Sequence, residues 1–328
     1  MPHDWSSFVD FVRRHQRFLI TTHVRPDGDA LGSMLALADA LEAKGKVARR
    51  VIASPLPPRY DFIDPNKSID VFSPPGDCYS DCDAIIVIDT GTWNQLAGMA
   101  SFVRTSSAEK FVIDHHATQD DLGGQRIVDT SAEAAGRLAY EAVTALGVPL
   151  TSTMANCVFL GLAMDTGWFR HPSVSAKTFE LAGRLVAAGA QPTSLFDDLY
   201  ERNSLARLHL TGLALERLRT NADGRIAYTE IRWADYSATG AAPLDTEDLV
   251  NYPRSVAGVE VGLLFIEQRD TAIKVSFRAR TANVAAVAEQ FGGGGHKLAA
   301  GATLPGPLDA ARSRVLHAVA LALGNRLD

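Results

Sequence analysis

Cysteine is scarce in this 328-residue chain, with Cys78, Cys82 and Cys157 the full complement. A sparse, odd count excludes a disulfide framework and fits a reducing cytoplasm. No apolar run reaches the roughly 18 residues of a membrane-spanning helix. The opening Met1-Pro2-His3-Asp4-Trp5 has no basic segment followed by an apolar one, so no secretory signal is expected. Basic charge is not in excess either. Lys and Arg number 32 against 38 Asp and Glu, for a net charge of −6. That balance excludes a protein that coats long nucleic acid through a basic surface. Internal repeats are missing, and Gly292 to Gly295 form the one low-complexity stretch.

What is present is an ordinary globular mixture, 46% hydrophobic and 21% charged, which excludes intrinsic disorder. At roughly 150 residues per domain the length suggests two domains, each large enough to bury a core. Acid is concentrated at the front. Residues 1–200 carry 17 basic and 24 acidic side chains, whereas residues 201–328 carry 15 and 14.

The front part alternates strand-like and helix-like segments, which predicts a parallel sheet in an α/β domain. Phe18 to Thr22 reads as a strand, Leu31 to Ala43 as a helix ending at Gly45, and Ala84 to Ile88 as a strand buried on both faces. Phe111 to Ile113 is a shorter strand. Thr130-Ser131-Ala132-Glu133 has the form of a capping box opening a helix that runs to Gly147. Helical pattern dominates from Ser173 to about Leu218. Beyond it, strands are expected at Ile226–Ile231, 259–267 and 273–280, with a helix at 284–290 and another from about Leu308.

Chemistry-bearing residues sit at the ends of these apolar elements, where open α/β sheets bind ligands. The first strand leads into His23-Val24-Arg25-Pro26-Asp27-Gly28-Asp29. The second leads into Asp89-Thr90-Gly91, the third into Asp114-His115-His116, and the apolar segment 158–164 into Asp165-Thr166-Gly167. Alone, each has a plain reading as a turn or helix-capping residue. Asp165 at a helix C-terminus is unfavourable without a compensating cation. Together, His23, Asp27, Asp29, Asp89, His115 and Asp165 offer four carboxylates and two imidazoles. That is too many ligands for one ion. It suits two divalent cations, with Mn²⁺ natural for mixed N/O ligation, and paired metals are a recurring device for phosphate-ester hydrolysis.

The second feature is Phe291 followed by four glycines, His296 and Lys297. Such a run is a flexible linker or a set of unobstructed N–H donors to phosphate. Nearby, Val275, Phe277 and Ala279 alternate with Ser276, Arg278 and Arg280, so both arginines share a strand face suited to clamping phosphate. The cysteines read as structural, with Cys157 in the core.

The set His-x-x-Pro-Asp-Gly-Asp-Ala-x-Gly-Ser, Asp-Thr-Gly, Asp-His-His and a later Asp-Thr-Gly resembles the DHH phosphoesterases. The glycine run with its histidine resembles their DHHA1 domain. The resemblance covers about residues 10–325. It implies a parallel-sheet DHH catalytic domain (1–190), a helical linker (191–219) and a smaller α/β DHHA1 substrate-binding domain (220–328), with the active site in the cleft between the domains. It further implies that His23 and Asp27 hold one metal, that Asp29, His115 and Asp165 hold the other, and that Asp89 bridges both. Asp114 would orient the histidines, and His116 would contact the scissile phosphate as a candidate proton donor. Arg278 and His296, with the Gly293, Gly294 and Gly295 backbone, would hold the terminal phosphate or nucleotide. Arg280 and Lys297 are further candidates.

Within the family the chain is similar to the bacterial enzymes that degrade short oligoribonucleotides to mononucleotides and dephosphorylate 3′-phosphoadenosine 5′-phosphate (pAp). A cytoplasmic, Mn²⁺-dependent phosphodiesterase and phosphatase is therefore expected. The same architecture also serves enzymes acting on cyclic di-AMP or its linear product pApA. A family II pyrophosphatase is disfavoured by the glycine-rich histidine motif, and a RecJ-type exonuclease by the length and acidity. A non-catalytic nucleotide sensor is disfavoured by the complete ligand set. The ranking of these substrates, cleavage polarity, the metal used in the cell and homodimer formation are left open by the sequence.

Overall fold

The computed structural model describes residues 3–324, apart from the side chain of His296. The chain divides into two compact units, residues 1–202 and 203–328. None of its described helices is long and apolar enough to cross a membrane.

The first unit holds a six-stranded, all-parallel sheet of β1 (Arg17–Thr21), β2 (Val47–Ile52), β3 (Ile69–Val71), β4 (Ala84–Ile88), β5 (Glu109–Asp114) and β6 (Gln125–Val128), in the order β3-β2-β1-β4-β5-β6. Its helices are α1 (Ser6–Arg14), α2 (Gly28–Ala43), α3 (Ala100–Thr105), α4 (Ala135–Ala145), α5 (Ser152–Asp165), α6 (Ala176–Ala187) and α7 (Pro192–Tyr200). Alternate residues of the central strands feed opposite faces. Phe18, Ile20, Ile86, Ile88, Phe111 and Ile113 pack with α1, α2, α4 and α5. Leu19, Ile85, Val87 and Val112 pack under Phe72, Leu96, Met99 and Val103 on the other side. Burial on both faces accounts for the unbroken apolar run of β4. The chain moves outward from β1 in one direction through β2 and β3, then returns to start β4 on β1's other side. The carboxyl ends of β1 and β4 therefore flank the point where strand order reverses, the position at which open α/β sheets place ligands.

The second unit carries a mixed sheet of β7 (Arg219–Thr220), β8 (Ile226–Ile231), β9 (Val261–Glu267), β10 (Ile273–Ala279), β11 (Gly294–His296) and β12 (Ala299–Leu304), in the order β11-β12-β10-β9-β8-β7. Only β8 and β9 pair in parallel. Its helices are α8 (Leu205–Glu216), α9 (Trp233–Thr239), α10 (Asn251–Ser255), α11 (Val284–Glu289) and α12 (Leu308–Ala322). Val275 and Phe277 of β10 join α11 and α12 in one core, and Leu264 and Ile266 of β9 join α8 in another. The stretch 191–219, expected as one helical linker, is shared out between the units. Leu195 and Leu199 of α7 belong to the first core, while Leu210 and Ala214 of α8 belong to the second.

Two expectations change here. The Thr130–Glu133 capping box does not open a helix. The helix starts at Ala135 without a side-chain cap of its own, and Glu133 pairs with Arg137 instead. The glycine run is not a free loop. Gly294, Gly295 and His296 form strand β11, paired with Gly301, Ala300 and Ala299 of β12.

Candidate metal centre

Each strand end delivers its acidic or imidazole group by a different local device. Past β1, Asp27 caps α2, its Oδ1 accepting the N–H groups of Asp29 (2.9 Å) and Ala30 (3.1 Å). Asp29 is fully buried and supplies in trans the cap that α4 lacks. Its Oδ2 accepts the N–H of Ala135 at 2.6 Å and its Oδ1 that of Gly136 at 2.8 Å, with the Ser33 hydroxyl donating at 3.2 Å. The positive end of α4 thus faces this carboxylate. Past β4, Asp89 takes a left-handed backbone (φ 62°), with its N–H donated to the Ile113 carbonyl at 2.9 Å. Asp165 is the last residue of α5.

The two imidazoles are anchored alike. Nδ1 of His23 lies 3.0 Å from the Val24 carbonyl, and Nδ1 of His115 lies 3.1 Å from the Ala132 carbonyl. A carbonyl only accepts, so Nδ1 carries the hydrogen in both rings and Nε2 is the end left for a ligand. Nε2 of His115 is 3.3 Å from both Asp89 Oδ1 and Asp165 Oδ2, and 3.9 Å from Asp29 Oδ2. Nε2 of His23 is 3.5 Å from Asp89 Oδ2 and 3.9 Å from Asp27 Oδ1. His23, Asp27 and Asp89 form one group of ligand atoms lying within 4.8 Å of one another, Asp29, His115 and Asp165 form a second, and Asp89, His115 and His116 a third that overlaps both. Asp89 stands between the first two, its two oxygens facing different histidines.

The electrostatics are those of a site short of positive charge. Burial pushes the Asp29 carboxyl well up, and Asp89, Asp165 and Asp27 add like charge. Burial, then Asp89, pushes Asp165 up to about 7. Burial would lower both imidazoles, yet Asp89 and its neighbouring carboxylates carry His23 up to about 9 and His115 up to about 10. Burial would also raise Asp89, but His115 and His23 hold it below the usual carboxylate range. Asp89 Oδ1 and His115 Nε2 face each other, buried and without a hydrogen-bond partner. Two such orphans on a Lewis-basic oxygen and nitrogen fit divalent cations.

Beside these groups, Nδ1 of His116 lies 2.8 Å from Asp114 Oδ1. Asp114 is fully buried and also accepts the backbone N–H groups of His115 (2.8 Å) and His116 (3.3 Å). The His116 side chain is 54% exposed, leaving its Nε2 end open to a ligand. Sequence reasoning missed Gln119. Its Nε2 donates to Asp114 Oδ2 at 2.5 Å and to the His116 carbonyl at 3.1 Å. The amide occupies the space a Cβ on Gly91 would take, 2.0 Å from Oε1, so a side chain at that position would push the amide off its present place. That contact joins residues far apart in the chain, and no local spacing announces it.

In the second unit the backbones of Arg278, Ala299 and His296 are in register across β10, β12 and β11. Arg278 is half-buried, donates Nη1 to the Phe277 carbonyl at 3.0 Å and makes no ion pair among the described residues. Burial lowers its pKa. The His296 side chain lies outside the described residues. Two candidates are otherwise engaged. Arg280 donates to the carbonyls of Val259 (2.9 Å) and Arg254 (3.3 Å). The Gly293 N–H is donated to Ala288 O at 2.9 Å, so among the three glycines it is not a free donor. Lys297 is exposed, its carbonyl accepting from Val284. Cys157 is buried in α5 as expected, Cys82 is also buried and Cys78 is exposed.

A parallel sheet with carboxylates and imidazoles converging at its switch point, followed by a glycine-bearing mixed sheet, defines the DHH phosphoesterases, and the chain belongs to that family. The DHH family, N-terminal domain matches residues 17–162 and the DHHA1 domain matches residues 223–323. Among curated relatives, the chain is 33% identical over 309 residues to the bifunctional oligoribonuclease and PAP phosphatase NrnA of Thermus thermophilus, covering 92% of this chain and 88% of that one. The protein of the same name from Bacillus subtilis is 28% identical over 303 residues, covering 91% and 93%. Among solved structures, an exopolyphosphatase-related protein from Bacteroides fragilis superposes with a TM-score of 0.89 at 23% identity, over 97% of this chain and 94% of that one. An exonuclease RecJ bound to manganese gives 0.55 at 16% identity, over 95% and 94%. At those identities the two structures speak for the fold.

Proposed function

We propose that this chain is a two-metal phosphoesterase that hydrolyses short oligoribonucleotides to mononucleotides and removes the 3′-phosphate of pAp. The observation that carries this reading is the convergence of ligand groups around Asp89, which belongs with His23 and Asp27 and also lies 3.3 Å from His115 of the group with Asp29 and Asp165. His23 and Asp27 would hold one ion, Asp29, His115 and Asp165 the other, and Asp89 both, with Mn²⁺ the best match to mixed imidazole and carboxylate donors. Such ions, when bound, supply Lewis acidity toward phosphoryl oxygens and lower the pKa of water.

The chain's own groups account for the rest. Asp114 accepts from His116 Nδ1, which fixes the ring and turns Nε2 toward the substrate as phosphate contact and proton donor to the leaving oxygen. Asp114, His116 and Asp89 are the catalytic set in this reading. The first unit is the catalytic domain and the second the substrate-binding domain. There Arg278, His296 and the Gly294 and Gly295 backbone hold the far phosphate or nucleotide, with Arg280 and Lys297 in lesser parts. An unpaired, half-buried guanidinium is the group expected to wait for an anion. The free cysteines suit a cytoplasmic location.

A panel of kcat/KM values for short RNA, pAp, pApA and cyclic di-AMP, with pyrophosphate as control, tests the reading with Mn²⁺ present and after chelation. The expected result is metal-dependent turnover with short RNA and pAp foremost. Preferred hydrolysis of pyrophosphate, or nucleotide binding without turnover, would overturn it.

A further inference from the structure

The turn that follows Asp165 has a cost that the metal centre alone does not explain. Gly167, Trp168 and Phe169 all take left-handed backbones, at φ 57°, 56° and 62°. For bulky aromatic residues this conformation is a true outlier that persists only when the surroundings hold it. The turn is nevertheless firmly held. Trp168 N–H donates to Ala163 O (2.6 Å) and Phe169 N–H to the Thr166 hydroxyl (3.1 Å), while the N–H groups of Arg170 and His171 both donate to Thr166 O. The Trp168 indole donates to the Tyr200 hydroxyl at 3.1 Å, and the Phe169 ring stacks on Phe179.

The turn brings His171 back over the end of α5. Nδ1 of its ring lies 3.0 Å from the main-chain carbonyl of Asp165. The ring occupies the space a Cβ on Gly167 would need, with Nε2, Cε1 and Cδ2 at 2.5, 2.8 and 2.9 Å from that position. Such nearly equal distances put the glycine over the ring face, so the in-plane lone pair of Nε2 stays uncovered. Because the carbonyl only accepts, Nδ1 carries the hydrogen, and in the neutral ring Nε2 is an acceptor. His171 is exposed, lies outside every ligand group, and its Nε2 has no partner among the described residues.

We infer that His171 is a specificity residue whose Nε2 accepts a hydrogen bond from a hydroxyl of the substrate's sugar. A strained, rigid support holds the ring against the main-chain carbonyl of Asp165, whose carboxylate belongs to one ligand group, and leaves Nε2 without a partner among the described residues. Phosphate oxygens are acceptors at neutral pH and do not answer a lone pair; the donors a nucleotide offers are its ribose hydroxyls and its base N–H groups, and the hydroxyls are the ones that adjoin the phosphate. The 2′-hydroxyl is what separates RNA from DNA at a site of this kind. The inference rests on the proposed nucleotide substrate and adds which feature of it is read.

The test is calorimetric binding of AMP, 2′-deoxy-AMP and 3′-deoxy-AMP to the Mn²⁺-loaded protein, for the wild type, His171→Ala and His171→Phe. The wild type is expected to bind AMP about three- to tenfold tighter than one of the two deoxy analogues, the worth of one hydrogen bond, and the analogue that suffers identifies the hydroxyl. Both variants should bind all three nucleotides alike, at the wild-type affinity for the disfavoured analogue, with metal content unchanged. His171→Phe retains a ring over Gly167, so it separates loss of the acceptor from loss of packing. Wild-type binding without discrimination overturns the inference alone, as do variants that keep the discrimination or lose affinity for all three nucleotides equally. Absence of AMP binding by the wild type overturns the nucleotide reading beneath it.

Discussion

The two units are electrostatic opposites. In the first, burial gathers carboxylates whose charges conflict, and Asp29 and Asp165 are pushed toward their neutral forms. In the second, burial works against the positive charge of Arg278, an effect that Asp248 only partly offsets and Arg254 deepens, and the guanidinium makes no ion pair among the described residues. One region lacks cations and the other an anion. The same physical term, desolvation of a charged group, marks both sites, and its sign tells which ligand each awaits.

The sharpest way to break this contrast is Asp89→Ala, which removes the group shared by both ligand sets. Turnover should fall on the order of 10³-fold or more, with metal stoichiometry falling too by elemental analysis. Near wild-type turnover would end the two-metal reading. Next in size, Arg278→Ala should weaken the second unit alone, raising KM by about 10–100-fold while metal content and kcat hold, since a charge-assisted phosphate contact has been lost. A fall in metal content instead would erase the division of labour. Gln119→Ala frees Asp114 and with it His116, and should lower kcat by about tenfold with KM and metal unchanged. An equal loss in thermal stability and in KM would reduce Gln119 to a structural part.

The smallest effect concerns the metal-free protein. Asp165 titrates at about 7 when folded and near the ordinary 4 or so when unfolded. Its contribution to stability is therefore complete below about pH 4 and is lost as pH rises toward 7. Stability measured by urea unfolding with chelator present should drop across that window, and Asp165→Asn should flatten the drop. Added Mn²⁺ should reverse the trend, because protons compete with metal for the same ligands.

Much of the first unit was legible because its elements are hydrophobic runs that stop at polar residues. Ala84–Ile88 followed by Asp89 is the clearest instance, and Ile226–Ile231 was read to the residue. Most of what escaped was non-local. The start of α4 could not be read from Thr130–Glu133 because its cap comes from Asp29, over a hundred residues away. Strand β11 was hidden because its glycines have no β propensity and are ordered by pairing with β12. Gln119 and His171 were overlooked because each is defined by a glycine it packs against. The six proposed ligands were visible for the opposite reason, each being adjacent in sequence to the apolar element that carries it.

The attachment of Asp29 to α4 bears on how a scaffold of this kind decays. Asp165 is buried beside the Asp89 charge with only neighbouring imidazoles to offset it once ions are gone, so a lineage released from catalysis gains by losing it. Asp29 does not, because two N–H groups at the start of a core helix depend on it. Removing it would cost about 1–2 kcal/mol, as with other lost helix caps. A silent descendant would thus shed Asp165 early and retain Asp29 long after its chemistry had ended. Of the two, the acid at the end of α5 is the better witness that a DHH protein still works.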